Sequence, residues 1–354
     1  MKDIKNITKN QIFWPITALL LVLLFNLFFT PGFFKVEVKD GHLFGSIIDI
    51  INRGSPLMLL SIGMTLVIAT GGTDISVGSV IAISAAVAAS LVGGQMIFVD
   101  GVQEYVTLVP MPLAILATLV VAILLGLWNG TLIAKLGIQP IIATMILMVA
   151  GRGIAQLITA GQIITIYYKP YFFFGGGYLL GLPFAIFIVG LVLLIIMLLI
   201  KKTALGLFIQ ASGCNASASK YAGIYVDRIK LIVYTLSGLC AGIAGVLISS
   251  NIKSADANNA GLFIELDAIL AVAMGGNSMT GGKFSIPASI VGALVIQSIT
   301  TTIYSIGVPP EITLVVKAVV VIMICLLQSE EFRKLFANTS WLQRRNTLEN
   351  KISN

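Results

Sequence analysis

The residues with the most obvious chemical potential lie around one lysine. The stretch Gly276-Asn277-Ser278-Met279-Thr280-Gly281-Gly282-Lys283-Phe284 has the composition of a loop that cradles phosphate. That chemistry needs the lysine directly after the second glycine, with a Ser or Thr behind it to reach magnesium. Here Gly282 intervenes and Phe284 stands where the hydroxyl is required, so nucleotide binding is not expected. The only histidine, His42, has no ligand cluster around it, and one histidine cannot complete a Ser-His-Asp set. Cys214, Cys240 and Cys325 are far apart, which argues against a disulfide framework or a metal centre. No cofactor, metal or catalytic residue is expected on this chain.

A second group is notable for its surroundings. Asp74, Asn129, Arg152, Glu265, Asp267 and Lys317 stand within or at the ends of long apolar blocks. A charged side chain in mid-bilayer costs about 2.5–3.5 kcal/mol on the translocon scale, so such residues face a partner or water. Arg152 has Gly151 and Gly153 beside it, which lets another helix approach closely. Pairing between helices is the simpler reading of Arg152 and Lys317; a polar pathway is the alternative. Asp74 follows Gly71, Gly72 and Thr73 and precedes Ser76, a place from which a carboxylate can cap the next helix.

The elements that must position these residues are membrane helices. Of 354 residues, 57% are hydrophobic and 10% are charged. A soluble domain carries roughly 25% charged residues. Most apolar blocks here run about 17 to 26 residues, the length that crosses a hydrocarbon core as a helix. Ala185–Ile200 is apolar on every face, whereas barrel strands would alternate. The fold class is therefore all-α and polytopic, with about ten transmembrane helices. They are placed at 13–29, 56–69, 75–92, 109–134, 141–158, 182–200, 231–249, 265–275, 286–305 and 311–327. Residues 1–12 and 328–354 are short tails flanking a transmembrane domain at 13–327.

Charge sets the orientation. The net charge of +7 comes from basic residues at span ends and in loops, not from a soluble basic domain, so no nucleic-acid partner is expected. With both termini inside, the cytoplasmic segments total 90 residues and hold 15 Lys and Arg, while the outer segments total 85 and hold 5. That bias is the positive-inside pattern. The outer loops contain no long hydrophilic domain, so substrate capture outside is assigned to another protein.

Spans 56–69 and 265–275 are too short to cross, and run into Gly71-Gly72-Thr73-Asp74 and Gly275-Gly276-Asn277. Short, glycine-interrupted segments in two halves are the sequence signature of a transporter's broken helices. Glycine-rich turns between ordinary helices are the plainer alternative. The largest internal cytoplasmic segment, 201–230, carries Ala211, Cys214, Ala218, Tyr221 and Tyr225 near helical spacing, with Asn215, Ser219 and Lys220 on other faces. A short helix with a small-residue face suits docking into a groove on a partner. Gly213 lies within this segment, and Gly223 can end its helix in a left-handed turn.

Several stretches resemble the permeases of ribose-type ATP-binding-cassette sugar importers. They are Gly71-Gly72-Thr73-Asp74-Ile75-Ser76-Val77-Gly78, Asn129-Gly130 with Gln139-Pro140, and Ala211-x-Gly213-x-Asn215 through Ala222-Gly223-Ile224. Ser237-Gly238 through Gly245 and Glu265-Leu266-Asp267-Ala268-Ile269 into Gly275-Gly276 and Gly281-Gly282 continue the pattern, which covers roughly residues 45–330. The family usually has Ile-Asp-Leu at Thr73-Asp74-Ile75 and Ala at Ser219. Finer stretches, among them Met148-Val149-Ala150-Gly151-Arg152-Gly153 and Ala255-Asp256-Ala257-Asn258-Asn259-Ala260-Gly261, are similar to galactofuranose-type members. The resemblance implies a multi-pass permease in a bacterial inner membrane, surrounded by lipid. It also implies an ATPase subunit docked at 201–230, an extracytoplasmic sugar-binding protein, and a second permease subunit that is either a related chain or a second copy. An ion-gradient-driven sugar transporter is the alternative, with Asp74, Arg152 and Lys317 as relay groups.

Overall fold

The structure is a computed structural model, and it describes residues 12–39, 41–93, 95–99 and 102–328. The expected tails lie outside these residues except for Ile12 and Gln328. The main helices are α1 (Phe13–Phe29), α2 (Ser46–Ala69), α3 (Val77–Val92), α4 (Met111–Ala134), α5 (Pro140–Ile158) and α6 (Phe184–Lys202). Two short helices follow, α7 (Leu205–Cys214) and α8 (Ala216–Tyr221). The chain continues through α9 (Val226–Ile252), α10 (Ile264–Met274), α11 (Ile286–Ser305) and α12 (Pro310–Gln328). Among the described residues, α2, α4, α5, α6, α9 and α11 are long and apolar enough to cross a membrane.

The helices sort by burial. Most of α2 is enclosed by protein, and α9 and α11 are largely so, whereas α4, α5 and α6 leave most of their apolar surface open. In water such exposure would drive aggregation. Around a membrane domain it is the surface that meets lipid tails. The inner helices touch through small residues, because lipid is as apolar as leucine and close van der Waals packing must hold helices together. On α4, Gly126 lies against the backbone of α9, where an added Cβ would come within 2.5 Å of the Tyr234 carbonyl oxygen. On α9, Gly238 faces the Ala122 carbonyl in the same way.

Two expectations change here. The span placed at 56–69 begins ten residues earlier, so α2 has 24 residues and is not short. Asp49, Asn52, Arg53, Ser55 and Pro56 interrupt the apolar run in sequence, yet the helix passes through them. Pro56 has no amide to donate, and Ser55 beside it turns its hydroxyl back to the Ile51 carbonyl at 2.8 Å. Arg53, counted with the outer loops, is therefore a helix residue. The other span expected to be short keeps its length, since α10 has 11 residues, and α3, with 16, is shorter than the span placed at 75–92. The fold is also not purely helical. Among the described residues there are four two-stranded ribbons, in segments assigned to the outer side except for Leu182–Pro183, the first residues of the span placed at 182–200. The pair Tyr178–Leu179 and Leu182–Pro183 turns through Leu180 and Gly181, both at positive φ, the geometry that matches strand twist in a two-residue hairpin.

Candidate functional site

The break between α2 and α3 is built from backbone first. Gly71, at φ +77°, ends α2 in a left-handed turn: its own amide bonds the Ile68 carbonyl and the Gly72 amide bonds the Val67 carbonyl. Gly72 leaves room for the Tyr234 ring; any side chain there would overlap the phenol oxygen. That hydroxyl donates to the Thr73 carbonyl at 3.3 Å. Gly71, Gly72 and Asp74 thus shape one connection between α2 and α3; because α2 is long enough to cross, the short-span argument for a broken helix does not apply to it.

Asp74 is 2% exposed and accepts three hydrogen bonds from this chain. One carboxylate oxygen takes the Ser76 amide at 3.1 Å and the Ser76 hydroxyl at 2.6 Å. The other takes the Ser237 hydroxyl of α9 at 2.9 Å. Asn129 of α4, 1% exposed, donates its amide to the Ser76 oxygen at 2.8 Å. The expected helix cap is therefore something else: Asp74 closes an Asx-type turn onto Ser76 and ties α3 to α4 and α9. Sequence reasoning had Ser237 only as part of a family pattern and missed Tyr234; α9 brings them to Asp74 and Thr73 from a place remote in the chain.

The second break follows α10. Gly275 packs against the backbone at Ala288 and Ser289 of α11. Gly276, at φ +70°, then turns the chain out of the helix. Asn277 fixes what comes next. Its amide nitrogen donates to the Val272 carbonyl at 3.0 Å and the Ser289 hydroxyl at 2.8 Å, and its oxygen accepts the Ser285 amide at 2.6 Å. Thr65 of α2 donates to the same Ser289 hydroxyl at 2.7 Å, so this break is locked to the central helix.

The two breaks and segment 201–230 converge at one junction. The Gly282 amide donates to the Ala69 carbonyl, the last residue of α2, at 2.9 Å. Gly213 of α7 lies on that same carbonyl and against the Gly282 amide, with no space for a Cβ. Gly281, at φ +96°, sits against Gly71 and the Gly213 carbonyl. The end of α2, helix α7 and the Ser278–Gly282 turn therefore touch through bare backbone. The expectation of one short helix through Ala211, Cys214 and Ala218, ended at Gly223, is corrected here. Asn215 interrupts it with an extended backbone and caps α8 by accepting the Ala218 amide at 3.0 Å. Gly223, at φ +83°, closes α8 as expected, with the Ile224 amide on the Ser219 carbonyl at 2.9 Å. Cys214, Asn215, Ala218, Lys220, Tyr221 and Tyr225 are exposed, Tyr221 at 94%, so α8 presents an open surface while Gly213 faces inward.

The remaining polar candidates form a separate group. Arg152 donates through one nitrogen to the carbonyls of Ala257 at 3.0 Å and Ala260 at 2.7 Å, holding the loop that leads into α10. In that loop the Asn259 side chain and the amides of Asn258 and Asn259 hold the Asp256 carboxyl below its ordinary range. Glu265, 6% exposed, lies against Gly78, so the first turns of α3 and α10 meet. Asp267 of α10 forms an ion pair with Lys317 of α12. Arg152 and Lys317 thus pair between elements. The groups named as relay candidates do not form one chain with Asp74.

The sequence that folds in this way has relatives. Residues 46–325 match a family model described as the permease component of a branched-chain amino acid transport system. The chain belongs to this permease family. Among its relatives, the galactofuranose transporter permease of Escherichia coli K12 is 51% identical, over 92% of this chain and 94% of its own. The fructose import permease of Bifidobacterium longum NCC 2705 is 36% identical, over 95% and 92%. The ribose import permease of Escherichia coli K12 is 34% identical, over 89% and 92%. No solved structure matches the permease. The family description names one substrate class and these relatives name another, so membership alone does not fix what is carried.

Proposed function

We propose that this permease is the membrane-spanning subunit of an ATP-binding-cassette importer for a monosaccharide, galactofuranose or a related sugar. It receives the sugar from an extracytoplasmic binding protein and releases it into the cytoplasm. The observation that carries this reading is the 51% identity with a galactofuranose permease along nearly the whole of both chains. In this reading ATP is hydrolysed on a separate subunit, a second permease chain completes the pathway, and the protein lies in a bacterial inner membrane. The domain 13–327 crosses ten times, and the tails 1–12 and 328–354 are cytoplasmic. Segment 201–230 carries the ATPase contact, supported by the exposed surface of α8. The gradient-driven alternative needs free relay groups, whereas Arg152 holds carbonyls and Lys317 pairs with Asp267.

The deciding experiment is uptake of labelled galactofuranose into vesicles containing the assembled transporter. Uptake should require ATP on the side of segment 201–230 and should not respond to an ion gradient alone. The reverse dependence would overturn this reading.

Three variants follow. Ser217→Cys, on exposed α8, should resist an impermeant thiol reagent in intact cells and react in inverted vesicles; ready labelling from outside would reverse the topology. Asp74→Ala removes the acceptor for Ser76 and Ser237, which costs about 1–3 kcal/mol when buried donors are left unpaired. Its uptake should fall at least tenfold with membrane content retained, and Asp74→Asn should recover part of it. Ala218→Trp should wedge the docking surface, where overfilling a contact costs about 1–3 kcal/mol. Less ATPase should then co-purify.

A further inference from the structure

The glycine junction joins more than the two breaks. Between Asn277 and Gly282 the chain makes a tight turn, with the Gly281 amide on the Ser278 carbonyl at 3.2 Å. Met279 and Thr280 occupy its tip. The base is fixed at both ends: Asn277 by three hydrogen bonds to the α10 and α11 region, and Gly282 by its bond to the Ala69 carbonyl. A turn held this way loses little conformational freedom when something binds it.

Its surface chemistry is specific. The Ser278 and Thr280 hydroxyls bond each other at 2.8 Å, so the polar groups flanking the tip are already engaged. Between them Met279 is 45% exposed, an unbranched and adaptable apolar side chain. Lys283 is exposed just beyond. The turn is also continuous with the proposed coupling surface. Gly281 touches the Gly213 carbonyl, and Gly282 lies beside the Cys214 sulfur. The next residue, Asn215, opens exposed α8.

We propose that the turn Ser278–Gly281 is a second docking element for the ATPase subunit, with Met279 as its apolar anchor beside α8. This rests on the reading that 201–230 meets the ATPase. Because the turn, the end of α2 and Gly213 share one backbone junction, an ATPase gripping both elements would move the α2–α3 break directly.

The test places a photo-crosslinking residue at Met279, at Ala218 and, as a lipid-facing control, at Leu191 in the assembled transporter. Crosslinks to the ATPase from positions 279 and 218, and none from 191, support the proposal. Met279→Asp should then lower the amount of ATPase retained by about tenfold, with membrane content unchanged. A crosslink from 218 alone overturns this inference and leaves the coupling reading standing. A crosslink from 279 alone refutes a shared surface. Silence from both positions removes the coupling reading and the inference with it.

Discussion

Gly213→Ala should cut uptake at least tenfold while the protein still reaches the membrane. The added methyl points at the Ala69 carbonyl and the Gly282 amide, and both are backbone. Neither can rotate aside as a side chain would, so relief requires α7, the end of α2 or the Ser278–Gly282 turn to shift. Overpacking of this kind costs typically about 1–3 kcal/mol, and 1.4 kcal/mol is a factor of ten in an equilibrium. The Gly282–Ala69 hydrogen bond is strained by the same movement. Uptake and retained ATPase are the measurements, with Gly190→Ala on α6, where an added Cβ meets open space, as a neutral control. Wild-type uptake in Gly213→Ala would mean that α7, the end of α2 and the Ser278–Gly282 turn are not in close contact in the working transporter.

Lys317→Ala should destabilise the folded protein by about 1–3 kcal/mol, less than removing one partner of a fully buried ion pair because this pair is part-buried. The side chains of Lys317 and Asp267 are only 13% and 24% exposed, so the orphaned Asp267 carboxylate finds little water. Asp267→Ala should do comparable harm by stranding the ammonium. The double variant should recover most of the loss, because the cost arises from the uncompensated charge rather than from the missing bond. A thermal unfolding series in detergent on the four proteins closes the cycle. Additive losses would show that the pair contributes nothing as a pair. The pair joins α12 to α10, so the singles should loosen α12 first, and protease sensitivity near Pro309–Pro310 would report it.

The class of protein was legible because the bilayer imposes length. Blocks such as 184–202 and 286–305 could be placed from composition alone, since lipid requires about 20 apolar residues in a helix. The start of α2 was not legible for the same reason. Its first ten residues carry Asp49, Asn52 and Arg53, which pattern reading assigns to a loop, yet only Ile48, Ile50, Gly54 and Ser55 are buried there while Asp49 and Arg53 stay on the exposed side of the helix. Segment 201–230 was visible as a docking candidate from its small residues and basic ends. Its division at Asn215 was not, because a side chain that competes for a backbone amide leaves no periodic trace.

For the site, sequence determined which residues were out of place. A carboxylate after two glycines at 71–74 and the glycine-asparagine run at 275–277 are costly in lipid unless something satisfies them, and that cost marks them. It also determined the family pattern that these motifs carry. What satisfies them was decided only by tertiary structure. Ser237 and Tyr234 reach the first break from α9, Ser289 reaches the second from α11, and Lys317 reaches Asp267 from α12. The meeting of Gly71, Gly213 and Gly281 belongs to that level too. A glycine's sequence position permits close approach but does not name the partner, and the partner is chosen by how the helices cross.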